Sequence, residues 1–187
     1  MQKNLTVFVL AALIMGGPIL AYLMLVSSDD EHMRQLLRFS AWTAVLIYLV
    51  VFIARPLNQL IGSPFSRTLL RNRRYVGIAL AAVMTVHLFL LLIVNEQAFN
   101  IPGGIIYVLL FLMLFTSFDG APAKIGTRNW RVLHKTGLYG LGFAYSLAIG
   151  SAFLETPLDP VYLTLTILML AALAIRLAAF WKARLKN

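Results

Sequence analysis

The sequence predicts an all-α integral membrane protein: a six-transmembrane-helix bundle forming a single domain over residues 1–187, with both termini cytoplasmic. Two observations carry this. Apolar runs at about 5–26, 38–55, 75–94, 101–117, 132–153 and 160–181 are each roughly long enough to cross a ~30 Å hydrocarbon core as a helix. The charges then sort by side. Of the 16 Lys and Arg residues, all but Arg34 and Arg38 fall on one side of the runs, and all of the acids but Asp119 fall on the other.

The first run follows Lys3 and contains Gly16, Gly17 and Pro18. It is longer than the ~7–15-residue core of a signal peptide, so it reads as a retained, kinked helix. The second run lies between Arg38 and Arg55, and the third opens after Arg73 and Arg74. Between them, Pro56, Gly62 and Pro64 mark a polar connection with room for a short interfacial helix. The fourth run ends before a second polar stretch, Asp119 to Arg131, with Gly120, Pro122 and Gly126. Lys124, Arg128, Arg131 and Lys135 surround the start of the fifth run, and Arg176, Lys182, Arg184 and Lys186 close the sixth. Asp29, Asp30, Glu31, Glu96, Glu155 and Asp159 occupy the opposite loops. Short loops make consecutive helices antiparallel neighbours. Trp42, Trp130 and Trp181 lie near the ends of runs, where indoles anchor at the interface.

Composition excludes several classes. A chain 60% hydrophobic and 12% charged is no soluble domain. Its net charge of +9 is cytoplasmic loop charge suited to anionic lipid, so no nucleic-acid partner is expected. Without cysteine there is no disulfide, thiolate catalysis, iron–sulfur cluster or zinc-thiolate site. No segment is long enough for a flavin or nicotinamide domain. Any electron source is therefore another polypeptide or a membrane-soluble molecule.

Polar groups inside a membrane are costly and mark sites. His87 lies about 18 Å into the third run. Two readings stand: a hydrogen bond to a neighbouring helix, or an axial ligand to haem iron. Gly77, Ala79, Ala81 and Ala82 leave room on that helix for a flat cofactor or for close packing. His134 lies about 5 Å into the fifth run. Behind it, Gly137, Gly140 and Gly142 admit a helix or a macrocycle. The depths of the two histidines differ by roughly 13 Å, which is awkward for two ligands of one iron. His32, beside Glu31, reads as solvated. Met84, Met113 and Met169 are thioethers that more commonly serve packing.

With these residues the chain resembles the ferric reductase-like transmembrane domain superfamily. Within it, the chain is most similar to the MsrQ (YedZ) haem-binding membrane subunits of periplasmic methionine-sulfoxide reductase systems. The resemblance rests on Pro18, on Arg38 and Arg55 bracketing the second run, and on Arg73-Arg74 with His87. It continues through Thr116-Ser117, Gly126, Arg128, Trp130, Leu133-His134 and Tyr139, and covers most of the chain. The resemblance implies electron transfer across a bacterial inner membrane through haem b, with His87 and His134 as cofactor-binding and iron-ligating residues. It implies no catalytic residue of the chain's own. It also implies a quinol or flavin reductase as donor, so that a quinone or flavin is compatible as a further cofactor, and a periplasmic molybdopterin reductase as partner. The family's third histidine falls on Leu147 here, which removes the depth-compatible partner of His87. The rival reading is a haem-free membrane scaffold or assembly subunit of the same fold that binds a protein or lipid. A transporter is weaker, since no acid lies inside a run.

The charge asymmetry yields a test. Cysteines placed near Glu31, Glu96 and Glu155 should react with an impermeant maleimide from outside the cell, and one near Arg71 should stay protected. The reverse pattern would refute the orientation.

Overall fold

The computed structural model describes residues 2–25, 30–94, 101–118, 120–157 and 159–185. Asp29, Glu96, Asp119 and Lys186 lie outside the described residues. The described chain is all helical, without strands: α1 (Gln2–Leu25), α2 (Asp30–Leu60), α3 (Pro64–Val94), α4 (Ile101–Phe115), α5 (Ala121–Ile125), α6 (Thr127–Glu155) and α7 (Pro160–Arg184). Among the described residues, four helices are long and apolar enough to cross a membrane, over Glu31–Leu60, Pro64–Ile93, Thr127–Glu155 and Pro160–Arg184. Two apolar stretches, Leu5–Ile19 of α1 and Gly103–Phe115 of α4, are shorter.

The surface is that of a membrane-embedded protein. Leu13 of α1, Phe143 and Leu154 of α6 and Leu170 of α7 are exposed, and their apolar area is compatible with lipid rather than water. Small residues serve the interior instead. Ser40, Ala44 and Ala54 on α2, with Ala81 and Ala82 on α3, are almost fully buried. Such residues let two helix backbones approach closely, and α2 and α3 form the most extensive helix pair.

The helices form a ring in the order α3, α2, α7, α6, α4, with α4 touching α3 lightly to close it. α1 packs outside, on α3 rather than on its chain neighbour α2. Gly16 meets Val86 there, where an added Cβ would come within 3.4 Å of the Val86 Cγ2. Sequence neighbours are thus not all spatial neighbours. α3 and α6 are not among the closely packed pairs, and they face one another across the ring.

Helix ends follow local chemistry. α2 and α3 are joined only by residues 61–63, so the expected interfacial helix between residues 55 and 74 is absent. Gly62 takes φ 64°, a left-handed turn that glycine adopts without steric cost. Ser63 then caps α3: its hydroxyl accepts the Ser66 N–H at 3.2 Å, ahead of Pro64 in the first turn. The short helix lies instead in the other connection, as α5, between Gly120 and Gly126, both at φ 86°. At the opposite end Asp159 caps α7 by accepting the Val161 N–H at 2.8 Å.

α2 continues through Pro56, which has no N–H to offer the Phe52 carbonyl one turn back. Arg176 of α7 fills that place. Its NH1 donates to the Phe52 carbonyl at 3.1 Å, while Nε donates to the Tyr139 hydroxyl at 3.1 Å. The guanidinium carbon also lies 4.3 Å from the Phe52 ring centre and 4.7 Å from that of Tyr139. One turn and a half further on, Lys182 donates to the Leu60 carbonyl at 2.8 Å, at the C-terminus of α2. Removing the guanidinium leaves a buried carbonyl unpaired. Arg176→Met should therefore cost about 1–3 kcal/mol, read as a lower unfolding temperature in detergent. Pro56→Ala supplies the missing N–H and should restore part of the loss in the double variant. No restoration would place the effect of Arg176 in the two rings instead.

Candidate functional site

Within the ring, at the end carrying most of the Arg and Lys residues, lies a cleft of about 620 Å³ bounded by α2, α3, α4, α6 and α7. Its floor is apolar, with Leu80 and Ala81 of α3, Leu110 of α4, and Leu138 and Leu141 of α6. Its upper walls carry Arg55, Arg73, Arg74, Arg131, Lys135 and Arg176. No carboxylate among the described residues lines it. Arg34 pairs with Glu31 at 3.7 Å, but at the opposite end.

Arg73 is inside this cleft because α2 receives it: its Nε donates to the Val51 carbonyl at 3.0 Å. With Arg176 on the Phe52 carbonyl, two guanidiniums sit on consecutive peptide groups of α2. Each cation thus finds neutral acceptors in place of carboxylates, the usual remedy for charge in a low-dielectric setting.

His134 is on the cleft wall. Its Nε2 lies 3.1 Å from the Thr116 hydroxyl, which itself donates to the Leu112 carbonyl at 2.7 Å. With the hydroxyl proton so used, the ring bears its proton on Nε2. Trp130 lies over His134 with ring centres 4.3 Å apart, and its Nε1 donates to the Thr116 carbonyl at 2.8 Å. Trp130 therefore does more than anchor at an interface: it joins α6 to the end of α4. Trp42 and Trp181 make edge contacts with Tyr162 and Phe180.

His87 is elsewhere. Its Nδ1 lies 2.8 Å from the hydroxyl of fully buried Ser40 on α2. Ser40 donates to the Leu37 carbonyl at 2.8 Å, so the imidazole is the donor to Ser40 and carries its proton on Nδ1. That leaves Nε2 with a lone pair, the tautomer suited to metal ligation. The levels of the two histidines follow from the Tyr145 hydroxyl, which donates to the Met84 sulfur at 3.1 Å and fixes the register of α6 against α3. His87 is three residues past Met84 and His134 eleven before Tyr145, so they lie about 21 Å apart along the axis. The structure does not bring the two expected ligands together.

Nor does it present a substitute. Leu147 is 58% exposed on the outside of α6 and does not face the ring, so a histidine there would not meet His87. The Met84 sulfur is occupied by Tyr145, and Met169 is buried between α6 and α7. Among the described residues no group of three or more His, Cys, Asp or Glu could hold a metal ion. His32 is half-buried in the first turn of α2, and Arg38 is exposed on the same helix.

The glycines of α6 also resolve. A Cβ on Gly137 would overlap the Met113 sulfur, and one on Gly142 would overlap the Tyr48 hydroxyl. Gly140 faces Ile106 and Leu109 of α4. All three admit neighbouring side chains, not a macrocycle. Gly77 of α3 is different: it lines the cleft, and a Cβ there meets nothing within 4 Å.

Compared with known proteins, the chain matches no family model, no curated protein and no solved structure.

Tyr48 donates to the Leu138 carbonyl at 3.1 Å from its seat over Gly142, so that glycine sets how closely α2 and α6 meet. Gly142→Ala should destabilise the bundle by about 1–3 kcal/mol through overpacking. Tyr48→Phe, which removes the overlapping oxygen, should recover part of that in the double variant. Wild-type stability of Gly142→Ala alone would deny the contact.

Proposed function

We propose that the chain is the electron-transfer subunit of a membrane redox system, crossing a bacterial inner membrane six times with both termini in the cytoplasm and binding one b-type haem through His87. The observation that carries this is the Ser40–His87 hydrogen bond. It orients the ring, fixes the Nδ1–H tautomer and leaves the Nε2 lone pair for a metal at a half-buried position. The donor chemistry fits one axial bond. It does not supply a second imidazole, because His134 is about 21 Å away along the helix axis. A haem at this place supplies a one-electron carrier. Around it the chain's own residues orient the imidazole through Ser40 and exclude water with the buried side chains of α2 and α3. Arg38, exposed near the same end, suits a redox partner or a propionate there. The resemblance to MsrQ-like subunits supplies the partners: a quinol or flavin reductase as donor and a periplasmic reductase as acceptor. In the topology, the shorter α1 and α4 complete the six crossings, supported by the alternation of loop charge.

The haem-free scaffold is the second reading, and a specific observation favours it. The same Ser40–His87 bond ties α2 to α3 by itself, as a structural histidine does. The two separate on purified protein by absorption and pyridine-haemochrome assay. Electron transfer requires bound haem that His87→Ala abolishes, His134→Ala retains and Ser40→Ala reduces. A colourless wild type supports the scaffold, and unchanged haem in His87→Ala removes His87 as ligand.

A further inference from the structure

The basic cleft asks for an anion carried on hydrocarbon. Its charged walls and its floor make different demands, and few ligands meet both. Arg55, Arg131 and Lys135 are exposed at the walls, and Asp119, the one acid placed by sequence at this end, lies outside the described residues. A zwitterionic headgroup would bring a further cation to a wall already lined by six. A soluble anion would use the walls and leave the open position at Gly77 without an apolar partner. The floor is open at Gly77, where α3 and α6 do not close over it. Gly77 is half-buried in mid-helix, at a backbone cost, and a side chain there would meet no protein atom within 4 Å. Beside it Ala81 and Leu80 of α3 face Leu138 and Leu141 of α6 across helices that are not closely packed. The cavity is larger than a headgroup needs and is apolar where a headgroup would not go.

We propose that this cleft binds an anionic phospholipid. Its phosphate is met by Arg55, Arg131 and Lys135, and an acyl chain lies over Gly77 between α3 and α6. Arg73 and Arg176 contribute field while their own hydrogen bonds go to α2 carbonyls and, for Arg176, the Tyr139 hydroxyl. His134, bonded to Thr116 and covered by Trp130, serves as a polar wall. The proposal is independent of whether His87 holds iron.

The test uses full-length protein, delipidated in neutral detergent, with native mass spectrometry and thermal unfolding as readouts. The probes are phosphatidylglycerol, phosphatidylcholine, inorganic pyrophosphate and haemin. Phosphatidylglycerol should bind at least about tenfold more tightly than phosphatidylcholine. Each basic residue near a lipid surface contributes about fivefold, so Arg131→Gln with Lys135→Gln should weaken phosphatidylglycerol roughly twenty-five-fold and leave phosphatidylcholine unchanged. Gly77→Leu should fill the floor, abolish phosphatidylglycerol retention and still unfold at no lower temperature in lipid-free detergent. Because the charged pair is exposed, its variant keeps the test decisive even if Gly77→Leu folds poorly. Equal binding of the two lipids overturns the proposal. So does pyrophosphate stabilising as much as phosphatidylglycerol with Gly77→Leu indifferent, which marks a soluble-anion site. Haemin lost from Gly77→Leu but kept by His87→Ala also overturns it, and assigns the cleft to haem.

Discussion

The Phe52 carbonyl has no helical partner, and much of the basic end is arranged around that fact. Pro56 creates the vacancy, and in an apolar bundle no water fills it at low cost. Arg176 must then cross from α7, and its side chain is long enough only if α7 packs on α2. Once there, the guanidinium lies against the rings of Phe52 and Tyr139, which brings α6 to the same point. Lys182 repeats the device at the end of α2. Three helices are thus joined at one level by a cation bonded to neutral groups. This arrangement is better suited to a membrane than an ion pair, because it adds no second buried charge.

The same device shapes the cleft. Arg73 and Arg176 are drawn inward to consecutive carbonyls of α2, so the charge they bring lines the ring's interior. Across the ring, the α6 glycines let Met113 and Tyr48 pack tightly against that helix, joining α6 to α4 and α2. The space that remains is between α3 and α6, at Gly77. Tight contact on one side and an open position on the other come from the same residue type, and only the neighbours distinguish them.

That is why the sequence disclosed the fold more fully than the site. The apolar runs and the sorting of Arg and Lys are properties of the chain itself, and the long helices appear where those runs predict them. Pairing of helices is not such a property: α1 packs on α3, and Gly16 and Val86, which meet there, are seventy positions apart. Ser40 as the partner of His87 depends on rotation of α2 against α3, which no spacing records. Run positions understate the offset between the histidines, because the register of α6 against α3 comes from a tertiary contact, Tyr145 with Met84. Leu147, where the resemblance expects a histidine, is at a place that the helix turns outward. One signal was legible: Arg176 stands inside an apolar run, where a charge without an acid in reach must find carbonyls or a cleft.

Loop charge and cleft charge are therefore not separate matters. A positive-inside bias needs only that Lys and Arg lie near the helix ends, and residues pointing outward to lipid headgroups would satisfy it equally well. Here six of these cations instead line one interior surface. Mutual repulsion opposes that convergence, and the carbonyl bonds of Arg73 and Arg176 offset it for two of the six. Arg55, Arg131 and Lys135 remain at the exposed part of the wall, where solvent weakens the repulsion but does not abolish it. An anion between them would turn a net cost into a net gain, and the open position at Gly77 suits one whose remaining bulk is hydrocarbon. In the proposed orientation, the same charges would set the topology and recruit the lipid leaflet they face.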